Sequence, residues 1–172
     1  MKLLDRVRLV FLQIYGALPR FARRFLVHRI TPSFRVGAAC IVVREDGAVL
    51  LVRNSYRAGW GLPGGLIRRR EEPREAALRE TREEVGLDLR VTAGPRLILD
   101  APGRRVDVIF EARIAPDSPR QQAVAKYPEI LEVGWFLPSR LPHLQEEAAG
   151  ALSDAFGVET TSVAPRRLQD ET

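Results

Sequence analysis

Several residue types are scarce in this chain of 172 residues, and each scarcity narrows the range of possible functions. The single cysteine, Cys40, excludes an intramolecular disulfide and a zinc site built from several cysteines. Only two histidines are present, which argues against a metal site with several histidine ligands. No run of about 18 apolar residues occurs, so the sequence predicts no membrane-spanning helix. The remaining composition, 45% hydrophobic and 28% charged, is typical of a folded globular protein.

Lysine is also scarce, since the 27 basic residues include only Lys2 and Lys126. A net charge of +5 and a pI near 10.1 would suggest a surface for nucleic acid or membranes. The charge is uneven, however. Residues 1–34 hold seven basic residues and one acidic residue, a net charge of +6, which leaves 20 basic and 21 acidic residues in 35–172, a net of −1. The positive excess therefore belongs to the N-terminal segment.

Residues 1–34 predict a basic, amphipathic helical arm. Apolar residues recur at helical spacing in residues 2–18, and Pro19 suits the first turn of a second helix over 19–30. Three roles stay open for residues 2–30. We favour packing on the following domain or a homodimer contact over peripheral contact with an anionic membrane, and we rank nucleic-acid binding last.

The rest of the chain predicts an α+β domain over residues 35–157, followed by a flexible tail over 158–172. Residues 54–70, rich in glycine and arginine, predict a loop. The clearest helix covers 73–85, with Gly86 as a left-handed cap. Strands are predicted at 35–43, 48–53, 91–99, 106–114 and 130–136, and a closing helix at 144–156.

The clearest chemical signal lies on the helix over 73–85. Glu80, Glu83 and Glu84 are spaced i, i+3 and i+4, so they project from one side of the helix and repel one another unless a cation is near. Mg²⁺ prefers such oxygen ligands, often together with substrate phosphates. Taken alone, however, a glutamate-rich helix is more often a solvated face than a metal site.

The wider segment 65–87 resembles the Nudix box, G-x5-E-x7-R-E-U-x-E-E-x-G-U, in which U is an aliphatic residue. The residues before the box, 60–65, are similar to the usual lead-in of that family. The resemblance extends loosely to 35–52 and 129–142, and it does not reach the first 34 residues or the tail. The fixed positions of the box are occupied by Gly65, Glu71, Arg79, Glu80, Glu83, Glu84 and Gly86.

The resemblance implies a Nudix-type α/β/α sandwich with a mixed β-sheet. It also implies a Mg²⁺-dependent pyrophosphohydrolase, with Mn²⁺ as a substitute. Its substrate would be a nucleoside diphosphate linked to another moiety, such as a nucleotide sugar, an ADP-ribose-like compound or a nucleoside triphosphate. The alternative is a catalytically silent protein of the same fold that binds a ligand or regulates a partner. We expect the protein to be cytoplasmic, with membrane contact through residues 2–30 left open.

The resemblance also assigns roles to residues. It implies that Glu80, Glu83, Glu84 and the Gly65 carbonyl bind the metal, and that Arg79 supports the carboxylates. The general base is Glu80 or a later glutamate, with Glu129 ranked ahead of Glu132. Four residues just before the box are candidates for stacking on a base or holding phosphate, with loop packing as an equal alternative: Arg53, Tyr56, Arg57 and Trp60.

Four positions depart from the usual box. Thr81 replaces an aliphatic residue, and we expect its methyl group to pack as well. Arg70 stands where a glycine commonly precedes Glu71, and Arg68 stands where an acidic residue is frequent, so we expect an altered loop. Glu72 replaces the usual serine or threonine cap and is a poorer one, although its charge suits the helix dipole.

Overall fold

The computed structural model describes residues 3–30 and 33–163. It divides the chain into two compact units, Met1–Phe34 and Arg35–Thr172. The first unit contains helices α1 (Leu3–Ala17) and α2 (Arg20–Ile30), so the predicted helices of the arm are present. Phe21 and Phe25 of α2 are exposed, and the Arg29 guanidinium lies 5.3 Å from the centre of the Phe25 ring. None of the helices described is long and apolar enough to span a membrane.

The second unit alternates strands with two longer helices, α3 and α4. A short 3-10 turn, Pro138–Arg140, precedes its last three elements. The elements are β1 (Arg35–Val42), β2 (Val49–Asn54), β3 (Gly64–Leu66), α3 (Pro73–Val85), β4 (Leu89–Asp100), β5 (Arg105–Ile114), β6 (Ile130–Phe136), β7 (Leu144–Gln145), α4 (Glu146–Phe156) and β8 (Ser162–Val163).

The main sheet is mixed and has the strand order β3-β1-β5-β4. Strand β1 pairs in parallel with β5 and antiparallel with β3, while β4 pairs antiparallel with β5. Strands β2 and β6 form a separate antiparallel pair. The predicted α+β fold with a mixed sheet is confirmed.

After its first two residues, strand β1 is buried on both faces. Its side chains point alternately to the two faces of the sheet, so they contribute to two separate core clusters. Ala38 and Cys40 pack in the cluster that contains Ala76, Ala77 and Val85 of α3. The next residues along the strand, with the opposite orientation, pack in the cluster that contains α4: Ala39 and Ile41, against Ala148, Ala149, Ala151 and Leu152. The sheet therefore lies between α3 and α4 as the middle layer of a sandwich. Burial raises the pKa of the Cys40 thiol to about 11, as befits a small core residue.

Two short strands differ from the sequence-based expectation. Strand β3 lies within residues that the sequence predicts as a loop. The prediction failed because the glycines of β3 have low strand propensity, and the strand forms through its pairing with β1. Strand β8 lies in the predicted flexible tail and pairs in parallel with β7, where the closing helix was expected to begin. Residues 164–172 of that tail lie outside the described residues.

Helix α3 has the ends that its sequence predicts. Gly86 adopts a left-handed φ of 73°, and its N–H donates to the Arg82 carbonyl. Glu72 precedes the helix without a side-chain capping bond, and Pro73 occupies the first turn. Thr81 is fully buried and its hydroxyl donates to the Ala77 carbonyl, so the departure at this position is accommodated. These ends fix which residues of α3 face the sheet.

Candidate active site

Glu84 is the buried carboxylate of helix α3. Its side chain is 4% exposed, and its Oε2 accepts a hydrogen bond of 2.9 Å from the Gly64 N–H. Burial raises its pKa to about 8 despite that hydrogen bond, and the charges of Glu129, Glu80 and Glu83 raise it further. This carboxyl group therefore holds a proton near neutral pH unless a cation approaches.

Arg79 connects the other carboxylates of the box. Its Nε lies 2.6 Å from Glu71 Oε1, and its Nη1 lies 2.6 Å from Glu80 Oε1 and 3.1 Å from Glu83 Oε2. The Arg79 guanidinium holds the pKa of Glu71 at about 2, with help from the Arg68 backbone N–H, which donates to Glu71. One arginine thus orients three carboxylates. We call Glu71, Glu80, Glu83 and Glu84 the carboxylate face.

Two glycines bring the β3 backbone against the carboxylate face. A Cβ atom at Gly65 would lie 2.5 Å from the carboxyl carbon of Glu80. One at Gly64 would lie 2.5 Å from the Ala38 carbonyl oxygen. Glycine is required at Gly64, where a Cβ atom would meet backbone, whereas at Gly65 a Cβ atom would displace the Glu80 carboxylate. The lead-in to the box thus places the Gly65 backbone beside Glu80.

The donor set of this region suits a hard divalent cation, because it consists of carboxylate oxygens and a backbone carbonyl. Within residues 3–30 and 33–163, no three or more His, Cys, Asp or Glu side chains converge closely enough to hold a metal ion. In this arrangement Arg79 is ion-paired with Glu80 and Glu83, and Arg68 lies 3.3 Å from Glu83. A bound cation would draw these carboxylates away from arginine. The residues that would hold it are Gly65, Glu80, Glu83 and Glu84.

A cleft of about 380 Å³ opens beside Gly65 and Glu80. Glu129, Tyr56 and Arg57 also line it, so the structure brings three further predicted site residues to the same space. Burial raises the pKa of Tyr56, and the charges of Glu129 and Glu84 raise it further, which agrees with their closeness. The predicted general-base candidate Glu129 therefore lies on the same cleft as the carboxylate face.

Two of the predicted substrate residues do not line the cleft. Arg53 on β2 pairs with Glu132 on β6 at 2.7 Å, and both side chains are about half exposed. Trp60 packs edge to face on Phe136, with ring centres 4.9 Å apart. The Trp60 contact agrees with the loop-packing alternative, and Arg53 and Glu132 form a surface pair. The substrate roles of all four residues stay predictions.

The cleft also contains residues that the sequence did not single out. Gln145 Nε2 donates to Asn54 Oδ1 at 3.0 Å, and both amides are buried. Charged residues from β1, β5 and α4 form another wall. Strand alternation predicts that Arg105 and Asp107, two residues apart on β5, lie on the same face of the sheet. The sequence around them gives no sign of a cleft on that face. The charged residues missed are Arg35, Arg105, Asp107 and Glu147.

Comparison with known proteins agrees with this arrangement. A family model described as the NUDIX domain matches residues 33–155. A MutT-like protein from Streptomyces ambofaciens is 28% identical over 116 residues, which cover 67% of this chain and 72% of the relative. An RNA pyrophosphohydrolase from Xanthomonas campestris pv. campestris is 44% identical over 55 residues, but that match covers only 32% of this chain and 27% of the relative.

A solved structure gives the same result for the fold. The crystal structure of a MutT NUDIX hydrolase from Burkholderia pseudomallei superposes with a TM-score of 0.60 at 30% sequence identity. The match covers 71% of this chain and 98% of that one. With the family model spanning most of the second unit, the chain belongs to the NUDIX family of hydrolases, whose members act on pyrophosphate bonds.

Proposed function

We propose that this hydrolase is Mg²⁺-dependent, with Mn²⁺ as a substitute, and that it cleaves the diphosphate of a nucleoside diphosphate linked to another moiety, X. The observation that supports this proposal most is the position of Gly65 and Glu80 on the wall of a cleft of about 380 Å³. That volume is within the usual range for small-molecule sites, about 300–1,000 Å³. Nucleotide sugars, ADP-ribose-like compounds and nucleoside triphosphates all contain the required anhydride.

The reaction is attack of water on one phosphorus atom and cleavage of the bridging P–O bond. A divalent cation, when bound, neutralises phosphate oxygens and lowers the pKa of bound water. The chain's own contribution is orientation. Arg79 fixes Glu71, Glu80 and Glu83 by charge-assisted hydrogen bonds, and the Gly64 N–H fixes Glu84. Glu80, the member of the carboxylate face that lines the cleft, is thereby held beside Gly65.

We assign the general base to Glu129, with Glu80 as the alternative. Glu129 is exposed and lines the same cleft as the ion-paired Glu80, so its carboxylate can accept the proton of the attacking water. The Arg79 guanidinium already occupies one oxygen of Glu80. Glu129→Gln should therefore lower kcat by about 100-fold or more and leave Mg²⁺ affinity unchanged. A kcat close to that of the wild type would transfer the role to Glu80.

A panel of nucleotides tests the proposed reaction. Release of nucleoside monophosphate is measured with Mg²⁺ for nucleotide sugars, ADP-ribose and nucleoside triphosphates, and release of pyrophosphate or phosphate is measured for an RNA with a 5′ triphosphate. We expect the wild type to hydrolyse at least one of these compounds, and Glu83→Gln and Glu84→Gln to lose about 100-fold or more in kcat. Glu75→Gln is the matched control, because Glu75 is an exposed glutamate in the first turn of the same helix.

The competing function is a silent ligand-binding protein of the same fold. The complete carboxylate face and its ordered support by Arg79 favour the enzyme, because a binding protein needs neither. A wild type that is inert on the whole panel, while still binding one of its members, would support the silent alternative instead.

A further inference from the structure

Three arginines from parts of the chain other than helix α3 line the cleft: Arg35 at the start of β1, Arg57 after β2 and Arg105 at the start of β5. We call these three residues the arginine wall. They lie on the same cleft as Gly65 and Glu80. A substrate held at the carboxylate face therefore meets the arginine wall with its remaining part.

Buried carboxylates hold two of these arginines in place. Arg105 binds Asp107 through two hydrogen bonds of 2.7 and 2.8 Å, and Asp107 is only 3% exposed. Arg57 Nη2 lies 2.8 Å from both carboxylate oxygens of Glu147, which also lies 3.9 Å from Arg105. Burial opposes the ionisation of Glu147, but hydrogen bonds from its own backbone N–H and Arg57 keep its pKa below the ordinary value. The guanidinium positions are thus fixed before any ligand binds.

Gly37 connects the arginine wall to the carboxylate face. A Cβ atom at Gly37 would lie 2.2 Å from Asp107 Oδ1, 3.1 Å from Arg105 Nη2 and 3.3 Å from the Gly65 carbonyl oxygen. The Arg105–Asp107 pair and the Gly65 carbonyl therefore face the same small space. The absence of a side chain at Gly37 keeps that space open.

The arginine wall retains unused hydrogen-bond donors. The cleft is lined by three arginines and four carboxylates, Glu80, Asp107, Glu129 and Glu147. Glu80 is paired with Arg79, Glu147 with Arg57 and Asp107 with Arg105, so among the described residues Arg35 is the guanidinium of the wall without a carboxylate partner. Among the described residues, Nε and Nη1 of Arg57 have no hydrogen-bond acceptor, and Arg35 makes only a long bond of 3.4 Å to the Gly103 carbonyl. Each guanidinium offers five N–H donors, so several remain for a ligand. Phosphate and carboxylate groups match that donor geometry.

We propose that the arginine wall binds a second anionic group, a phosphate or a carboxylate, carried by the X moiety of the substrate. The inference rests on the proposed function, because it places the scissile diphosphate at the carboxylate face. It narrows the substrate class to nucleoside diphosphates whose X moiety is itself negatively charged. A neutral sugar would cover these guanidinium groups without replacing the hydrogen bonds that they make to water.

Two matched pairs of compounds test this inference and distinguish the two anions. UDP-glucuronate differs from UDP-glucose by a carboxylate, and ADP-ribose 1″-phosphate differs from ADP-ribose by a phosphate. We expect kcat/KM to be about tenfold or more higher for the charged member of at least one pair, mainly through KM. The pair that shows the difference identifies the preferred anion.

Arg35→Gln is the informative variant, because Arg35 is exposed and its loss leaves no buried carboxylate unpaired. It should reduce kcat/KM for the charged member by about tenfold and leave the neutral member within about twofold. Arg35→Lys should retain part of the preference. Arg113→Gln is the matched control, since Arg113 is an exposed arginine on β5 outside the cleft.

Binding separates failure of this inference from failure of the proposed function. Calorimetry measures the dissociation constants of the same pairs with the wild type and Arg35→Gln, under conditions without turnover. A wild type that hydrolyses neither pair but binds the charged members more tightly would refute only the proposed function. Equal values of kcat/KM and Kd within both pairs, or equal effects of Arg35→Gln on charged and neutral members, would overturn the inference.

Discussion

Two glutamates with little solvent exposure have pKa values shifted in opposite directions. Glu84 is 4% exposed and its pKa is raised to about 8, because burial and neighbouring carboxylates oppose its charge. The Glu147 side chain is 16% exposed, yet its pKa is lowered, because its own backbone N–H, Arg57 and Arg105 together outweigh the effect of burial. Glu147 is already paired with arginine, whereas Glu84, among the described residues, accepts a hydrogen bond only from the Gly64 N–H. We infer that Glu147 serves recognition by positioning two arginines, and that Glu84 is placed to bind a cation that the chain does not itself supply.

The largest expected effect comes from a substitution beside the carboxylate face. Gly65→Ala places a Cβ atom 2.5 Å from the Glu80 carboxyl carbon, so the carboxylate must move away from the cleft. We expect kcat to fall by about tenfold or more, since misplacement of a catalytic group is costly even without loss of the group. Steady-state kinetics on the best substrate of the panel measures the effect.

The corresponding substitution beside the arginine wall is Gly37→Ala, whose Cβ atom would meet Asp107 rather than the carboxylate face. It should raise KM more than it lowers kcat. Identical kinetic effects of the two alanine variants would remove the distinction between the carboxylate face and the arginine wall.

Stability against pH sharpens the comparison of the two glutamates. The folded protein retains the Glu84 proton up to about pH 8, whereas the unfolded chain releases it near pH 4.5. The metal-free unfolding free energy should therefore fall as pH rises from about 5 to 8, by about 1.4 kcal/mol per unit from this group. Denaturant unfolding measures the slope, and Glu84→Gln should flatten it. Glu147 has the opposite sign: its lowered pKa contributes stability that is lost only below its unfolded value, as pH falls.

Glu147→Gln should destabilise the domain at pH 7. The substitution removes the partner of Arg57 and leaves Arg105 with Asp107 alone. Because Arg57 is partly exposed, we expect a loss of about 1–3 kcal/mol, less than for a fully buried pair. Glu84→Gln preserves an acceptor for the Gly64 N–H and should be neutral or stabilising at the same pH. Reversal of this order in thermal unfolding would contradict the comparison.

The smallest effect concerns the loop before helix α3. Arg70 has a positive φ of 67°, at the position where the sequence departs from the usual glycine. Non-glycine residues are strained in this conformation. Arg70→Gly should stabilise the fold by about 0.5–1 kcal/mol in denaturant unfolding. An unchanged kcat would show that this loop contributes stability and not chemistry.

The difference between the carboxylate face and the arginine wall also explains what could be predicted from the sequence. Glu80, Glu83 and Glu84 lie within one helical turn, so spacing alone places them on one face, and Gly86 marks the end of that helix. The support from Arg79 is equally local. The arrangement of these glutamates is therefore a property of one continuous segment, and their position on α3 follows directly from the sequence.

The arginine wall follows only from topology. Arg35 and Arg105 are register partners because β1 pairs in parallel with β5, and Glu147 of α4 connects Arg57 to Arg105. Strand β3 was missed for a related reason, since its pairing depends on β1 and not on its own residues. Trp60 shows why sequence left two alternatives open: an aromatic residue beside a catalytic motif can bind substrate or pack in its loop, and here its ring contacts the partly buried Phe136.

Direct measurement of Mg²⁺ binding tests the central claim, that Glu84 is placed for an external cation and Glu147 is not. Isothermal titration calorimetry is performed with the wild type, Glu84→Gln and Glu147→Gln, without nucleotide. We predict that Glu147→Gln binds Mg²⁺ within about twofold of the wild type, and that Glu84→Gln binds about tenfold or more weakly. Equal Mg²⁺ affinity of the wild type and Glu84→Gln would contradict the account.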